Sequence, residues 1–279
     1  MIEAIETPSG KGNGDENFPV AHLIRRDLRG PVGAYYHFAR NADDIADNPH
    51  LIAQDKIDRL NIMDAVLDGK ADDALSPSAA ALRASLDQTG VNPAHAHELL
   101  IAFRRDATKS RYADWAELMD YCRYSAAPVG RYMLELHGIP AASSWPPSDA
   151  LCAALQIINH VQDCGKDYQQ MDRVYLPLDI LADTGADISM LKGTSCTPPL
   201  RRALNLLLDK MDPLMAAACA LPPAVDDRRM KINTSVIVSL AEAMVTQLRR
   251  GDPLAGTGKP NKARKIAAII RGFARVCLP

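Results

Sequence analysis

Two stretches of this chain set acids and amides at helical spacing among residues that belong in a core. In "YYHFARNADDIAD" the series Tyr36, Arg40, Asp43, Asp47 steps by four, three and four positions, with Asp44 one residue to the side. In "QIINHVQDCGKDY" the series Gln156, Asn159, Asp163, Asp167 steps by three, four and four, flanked by Leu155, Ile157, Ile158 and Val161. Residues three and four apart share a helix face, so each stretch carries one polar stripe. The first stripe alone reads equally as a solvated face on which Arg40 bridges to a carboxylate. The second is harder to dismiss, because solubility has no need of an Asn-Asp-Asp ladder on an apolar helix. Burying several carboxylates without partners is prohibitive. A divalent metal removes that cost, since hard cations prefer carboxylate and water oxygens. Two facing helices of this kind would clamp Mg²⁺, whose remaining positions go to water and phosphate. A diphosphate is the natural ligand.

The elements that must carry these stripes are helices almost throughout. Pro31 sits in the first turn of a helix that runs to Asp47 and is stopped by Pro49. The punctuation predicts further helices over 51–67, from Ser76 or Ser78 to Gly90, and from Asn92-Pro93 to about Thr108. Another starts at Asp114 and ends at Gly138 with a kink at Pro128, and one runs from Ser148 to Gln169. Helices near 199–219, 226–250 and 261–275 complete the chain. Strand-period runs are missing, which predicts an all-α protein. "GKGNG" (Gly10–Gly14) follows no strand and is not a dinucleotide loop.

With the motifs and the helices in place, a likeness emerges. "YYHFARNADDIAD" and "QIINHVQDCGKDYQQMDRVYLP" resemble the two aspartate-rich motifs of the squalene and phytoene synthases, the head-to-head prenyl transferases. The resemblance runs from about Asn17 to the last helix. It implies an all-α, single-domain isoprenoid-synthase-type bundle with a central cavity over residues 17–279, preceded by a flexible tail over 1–16. It also implies that Asp43, Asp47, Asp163 and Asp167 are Mg²⁺ ligands, with Asp44 supporting them. Gln156 and Asn159 would line the cavity beside Tyr36, and Arg40 and Arg173 would contact the diphosphate. Tyr121, in "YCRYSAAPVG", matches a tyrosine placed near the reacting carbons, and Tyr175 is a second phenol at the site. Ser125, Ala126, Ala127 and Gly130 would let a long isoprenoid pass close to the helix; tight helix packing explains the same small residues.

Two departures narrow the likeness. Members that join two prenyl diphosphates usually carry an arginine where this chain has Gln162, and a Ser-Phe pair where it has Glu16-Asn17. "ENFPVA" together with "NHVQDCGKDY" is similar to the hydroxysqualene synthases of bacterial hopanoid pathways. The expectation is therefore conversion of presqualene diphosphate and water to hydroxysqualene and diphosphate, with Mg²⁺ and without NADPH. Asn17 and Tyr121 are candidates to position the water. Condensation of two prenyl diphosphates to presqualene diphosphate, squalene or phytoene is the alternative. A non-catalytic assembly protein on the same fold is a remoter one, since both motifs are whole. The implied partners are the substrate and the other enzymes of the squalene and hopanoid route.

Composition excludes other classes. Of 279 residues 47% are hydrophobic and 24% charged, the net charge is -2 and the sequence pI about 6.4, so no basic field points to nucleic acid. Six cysteines without a CxxC pair read as reduced thiols of a cytoplasmic protein. The first residues lack a basic start and an apolar run, so no signal peptide is expected, and no apolar stretch spans a bilayer. His95 and His97 are two apart, diverge on a helix and make a poor metal pair. "NKARKIAAIIRGFARVCLP" reads as a basic amphipathic helix, either packed on the core or resting peripherally on an anionic membrane face.

Overall fold

The structure is a computed structural model that describes residues 4–6 and 24–277. It is helical throughout, with no strand among the described residues and one isolated bridge between Arg111 and Val174. Eleven α-helices are present among the described residues: α1 (Arg29–Asp47), α2 (Ala53–Leu67), α3 (Pro77–Thr89), α4 (Ala94–Asp106), α5 (Trp115–Ser125), α6 (Ala127–Leu136), α7 (Ala141–Met171), α8 (Leu178–Thr184), α9 (Pro198–Ala218), α10 (Arg228–Arg250) and α11 (Lys262–Cys277). They form two compact units. The first holds the chain up to Lys109 and Pro128–Pro140; the second holds Ser110–Ala127 and the chain from Ala141 on.

Local chemistry sets the helix ends. Ser76 caps α3 by accepting from Ala79 N, Pro77 opens it, and Gly90 closes it at φ 73°, a left-handed angle that glycine adopts without a Cβ penalty. Asp114 caps α5 by accepting from Glu117 N at 2.9 Å. Two boundaries differ from the sequence expectation. The kink expected at Pro128 is a full break, with Ala126 at φ -125° between α5 and α6. The helix expected to start at Ser148 starts at Ala141 and runs through Pro146 and Pro147. Those prolines remove only two ladder bonds, both near the amino end, and Pro147 and Ser148 are buried.

In the first unit α1 buries Tyr35, Phe38, Ala42 and Ile45 against Leu60, Met63, Leu82, Leu99 and Tyr132. Each buried Phe, Ile, Leu or Met side chain among them contributes roughly 1.5–3 kcal/mol by leaving water. Tyr35 stacks on Tyr132 at 3.9 Å and donates to His95 O, while Tyr132 donates to Pro31 O at 3.0 Å. These contacts fix the rotation of α1 about its axis, and so the direction of its polar stripe. Residues 4–6 fall inside the expected tail, yet they are held: Glu6 accepts from both hydroxyls of Ser76 and Ser78 at 2.6 Å, and Ile5 N donates to Leu75 O.

In the second unit α7 buries Leu151, Ala154, Ile157, Ile158 and Val161, and α9 buries Leu200, Leu204, Leu207 and Leu208. α10 adds Val238, Leu240, Met244 and Leu248. The six cysteines are all free.

Candidate functional site

In the first unit the candidate residues lie along α1. Tyr36, Arg40, Asp43 and Asp47 are half-buried along it, and Asp44 beside them is buried. Arg40 holds two of the acids at once: Nη1 lies 3.0 Å from Asp43 Oδ2, and Nη2 donates to Asp44 Oδ1 at 2.8 Å. The remaining charge is not balanced. Desolvation and the negative charge of Asp47 push the Asp43 carboxyl up to about 7, with Asp106 and Asp44 adding to the rise and Arg40 opposing it. Acids whose mutual repulsion drives one of them toward its neutral form are a seat for a cation.

In the second unit they lie along α7. Gln156, Asn159, Asp163 and Asp167 are all half-buried, with Ile157, Ile158, His160, Val161 and Gln162 buried among them. Asp163 has a partner that spacing could not announce: Lys259 Nζ lies 3.1 Å from its Oδ1. Lys259 comes from the connection between α10 and α11, which is folded around Asp252. Cys196 N donates to Asp252 Oδ2 at 2.7 Å, and Thr257 N donates to Asp252 O at 2.9 Å. Asp163, Lys166, Gln169, Gln170 and Lys259 line a cleft of about 420 Å³ beside α7. Gln162 also borders it, but its side chain is 94% buried (6% exposed) and both amide atoms lack a hydrogen-bond partner.

The same unit gathers the phenols. After α7 the chain reverses at Asp172 (φ 51°), and Arg111 Nη2 meets Asp172 Oδ1 at 2.6 Å. Val174 N then donates to Ser110 O, and Leu178 N to Tyr112 O, both at 2.9 Å. This short ladder sets Tyr175 beside Tyr112, with ring centroids 5.5 Å apart, and Tyr121 of α5 lies 5.5 Å from Tyr175. His160 stacks on Tyr175 at 3.7 Å and is 6.0 Å from Tyr121. Burial and the nearby Arg173 push its imidazole down to about 3, so it is neutral at pH 7, and its Nε2 has no hydrogen-bond partner. Arg173 is itself buried.

The structure thus joins Arg40 with Asp43 and Asp44 in one unit, and Tyr121 with Tyr175 near Arg173 in the other. Ser125 ends α5 with a buried hydroxyl lacking a partner, and Ala126 and Ala127 are buried at the break. Asn17 and "ENFPVA" lie outside the described residues. Sequence reasoning missed Lys259 and His160. No spacing rule reaches Lys259 across 96 residues, and a lone histidine on an apolar helix signals only a core position. Among the described residues no group of three or more His, Cys, Asp or Glu is gathered tightly enough to hold an ion alone. Paired acids without a closed cage suit Mg²⁺, which takes one or two carboxylates and completes its shell with water and phosphate.

Comparison with known proteins agrees with this chemistry. The squalene/phytoene synthase family profile matches residues 12–265. A hydroxysqualene synthase of Rhodopseudomonas palustris is 45% identical over 258 residues, 91% of this chain and 86% of the relative. One of Zymomonas mobilis is 42% identical over 279 residues, 99% of this chain and 93% of the relative. The crystal structure of squalene synthase HpnC from Alicyclobacillus acidocaldarius superposes with a TM-score of 0.73 at 29% identity, covering 87% of this chain and 89% of that one. A dehydrosqualene synthase superposes at 0.78 and 22% identity, covering 92% and 89%, which shows the shared fold. Motifs, fold and relatives coincide over nearly the whole length: this chain belongs to the squalene/phytoene synthase family.

Proposed function

We propose that this protein is a hydroxysqualene synthase, converting presqualene diphosphate and water to hydroxysqualene and diphosphate. The observation that carries the reading is the pair of half-buried acidic stripes, on a chain 42–45% identical over most of its length to relatives of that name. Asp43 and Asp47, with Asp163 and Asp167, would hold Mg²⁺, which when bound neutralises the diphosphate and favours its departure. Arg40 and Arg173 supply fixed positive charge where the leaving group's charge grows. Tyr36, Gln156 and Asn159 bind and orient the same group, and Asp44 keeps Arg40 in place through their ion pair.

The carbon–oxygen bond breaks with its electron pair going to diphosphate, and the cyclopropylcarbinyl cation rearranges. A water oxygen then donates a lone pair to the cation, and the resulting oxonium gives up one proton. The phenol faces of Tyr121 and Tyr175 stabilise positive charge nearby. Neutral His160, stacked on Tyr175, offers an unpaired nitrogen to take that proton. Ser125 and Ala126 leave room for the isoprenoid chain, and Asn17 and Tyr121 orient the water. Capture by water needs no hydride, so the reaction runs without NADPH.

Gln162 favours this reading over condensation of two prenyl diphosphates. It contributes no charge, and a site that ionises two diphosphates needs more fixed cation than Arg40 and Arg173 supply. The test is product analysis: purified protein with presqualene diphosphate and Mg²⁺ releases hydroxysqualene, whereas efficient consumption of farnesyl diphosphate alone would establish the condensing activity instead. The place of action is the cytoplasm with peripheral contact at the inner membrane face, where so apolar a product must go; no described helix is long and apolar enough to cross a membrane.

A further inference from the structure

α11 is packed the wrong way round for a helix that only completes a core. A surface helix ordinarily turns its large apolar residues inward. Here the deepest positions are small, with Ile269 and Val276 half-buried beside them: Ala268 is 1% exposed, and a Cβ on Gly272 would lie 2.5 Å from Val236 Cα of α10. Ser235 Oγ donates to Gly272 O at 2.8 Å, and Arg275 grips Glu242 of α10 at 3.0 Å. Three large residues point outward instead. Ile266 is 46% exposed, Ile270 63% and Phe273 37%. At 100° per residue these three fall within an arc of about 60°, and the exposed Ala263 and Ala267 widen it. α11 cannot roll to bury this face without driving the Gly272 backbone off Val236.

The charge around that face has one sign. From Pro253 to the end of the chain there are six basic residues and no Asp or Glu. Lys262 borders the apolar arc on one side and Arg271 and Arg264 on the other, all three exposed. Lys262 has no ion-pair partner among the described residues, and Arg271, 4.0 Å from Glu242, keeps a side chain 57% exposed. An outward apolar stripe flanked by cations complements the acyl boundary and anionic headgroups of a bilayer surface. A protein partner of matching acidity would not call for so continuous an aliphatic and aromatic stripe.

We infer that the outer face of α11 docks on an anionic membrane, with Ile266, Ile270 and Phe273 inserted at the headgroup boundary and Lys262 and Arg271 on the lipid phosphates. The docking stands on α11 alone; its use in product release rests on the proposed function.

The experiment is flotation of the full-length protein with vesicles of phosphatidylcholine, with and without phosphatidylglycerol. Binding is expected to the phosphatidylglycerol vesicles and to weaken with salt. The I266S/I270S/F273S variant should bind at least about tenfold more weakly, and K262A/R271A should lose most of the preference for anionic lipid. All three outward positions tolerate serine, so a circular-dichroism melt should match the parent, as should turnover of detergent-dispersed presqualene diphosphate. Equal binding by the serine variant overturns the proposal. So does failure of the parent to bind, including the case in which sedimentation shows a dimer that the serines dissolve. Vesicle binding by a protein that does not turn over presqualene diphosphate leaves the docking intact and refutes the function.

Discussion

The α1 and α7 stripes present the same half-buried acids at the same spacing, but their charge is compensated differently. On α1 the cation belongs to the same helix: Arg40 binds Asp43 three residues on and Asp44 four residues on. On α7 it comes from 96 residues away, when the folded α10–α11 connection lays Lys259 on Asp163. The α1 pair is structural, because Asp44 is buried and needs its arginine in every state of the protein. The α7 pair is exchangeable, because both partners remain about 36–47% exposed and a surface pair is worth at most about 1 kcal/mol. One stripe keeps its cation, and the other can give it up, to metal in the proposed function.

The largest effect that tests this comparison is on catalysis. D43N and D163N should each lower kcat with presqualene diphosphate by at least about a hundredfold, with melting temperature preserved, and retention of full activity by either would break the symmetry between the stripes. Next is R40A. It leaves Asp44 buried without its partner, and urea unfolding should show a loss of about 2–3 kcal/mol. K259A, by contrast, should change stability by no more than about 0.5 kcal/mol. Equal losses in the two variants would remove the distinction between structural and exchangeable cations.

The pH dependence sharpens the α1 side. Asp43 titrates near 7 in the folded chain against an ordinary value of 3.8. Ionising a carboxyl whose folded value is raised costs stability. The folded state is thus favoured most below about 4, and that advantage disappears as pH rises through about 7. D43N removes the titration, so its stability relative to the parent should rise across this window in the absence of metal. In the proposed function Mg²⁺ displaces the Asp43 proton, so calorimetry near pH 6 in buffers of different ionisation enthalpy should detect proton release that D43N abolishes. The smallest effect belongs to α7: without diphosphate, K259A should tighten Mg²⁺ binding by no more than about fivefold, since the lysine competes for Asp163.

These contrasts also mark what the sequence could reveal. The α1 stripe, the Ser76 and Asp114 caps and the Gly90 stop are set by residues within four positions of one another, and such chemistry is legible without a fold. The second stripe was legible as a pattern, but Lys259 was not, because only the tertiary path of the α10–α11 connection delivers it. His160 was hidden for a related reason. Its significance lies in Tyr121 and Tyr175, which a backbone reversal at Asp172 brings alongside. α11 could be recognised as amphipathic, yet which face meets the protein is decided by the seat of Gly272 on Val236. The α7 start was misplaced because two prolines ordinarily end a helix, and here the buried Pro147 and Ser148 pack well enough to carry it through.

The most direct measurement is mass spectrometry of the products formed from presqualene diphosphate and Mg²⁺ in oxygen-labelled water, with no NADPH present. The account predicts hydroxysqualene carrying the label, loss of product in EDTA, and little turnover of farnesyl diphosphate alone. An unlabelled alcohol, full activity in EDTA, or efficient condensation of farnesyl diphosphate would contradict it.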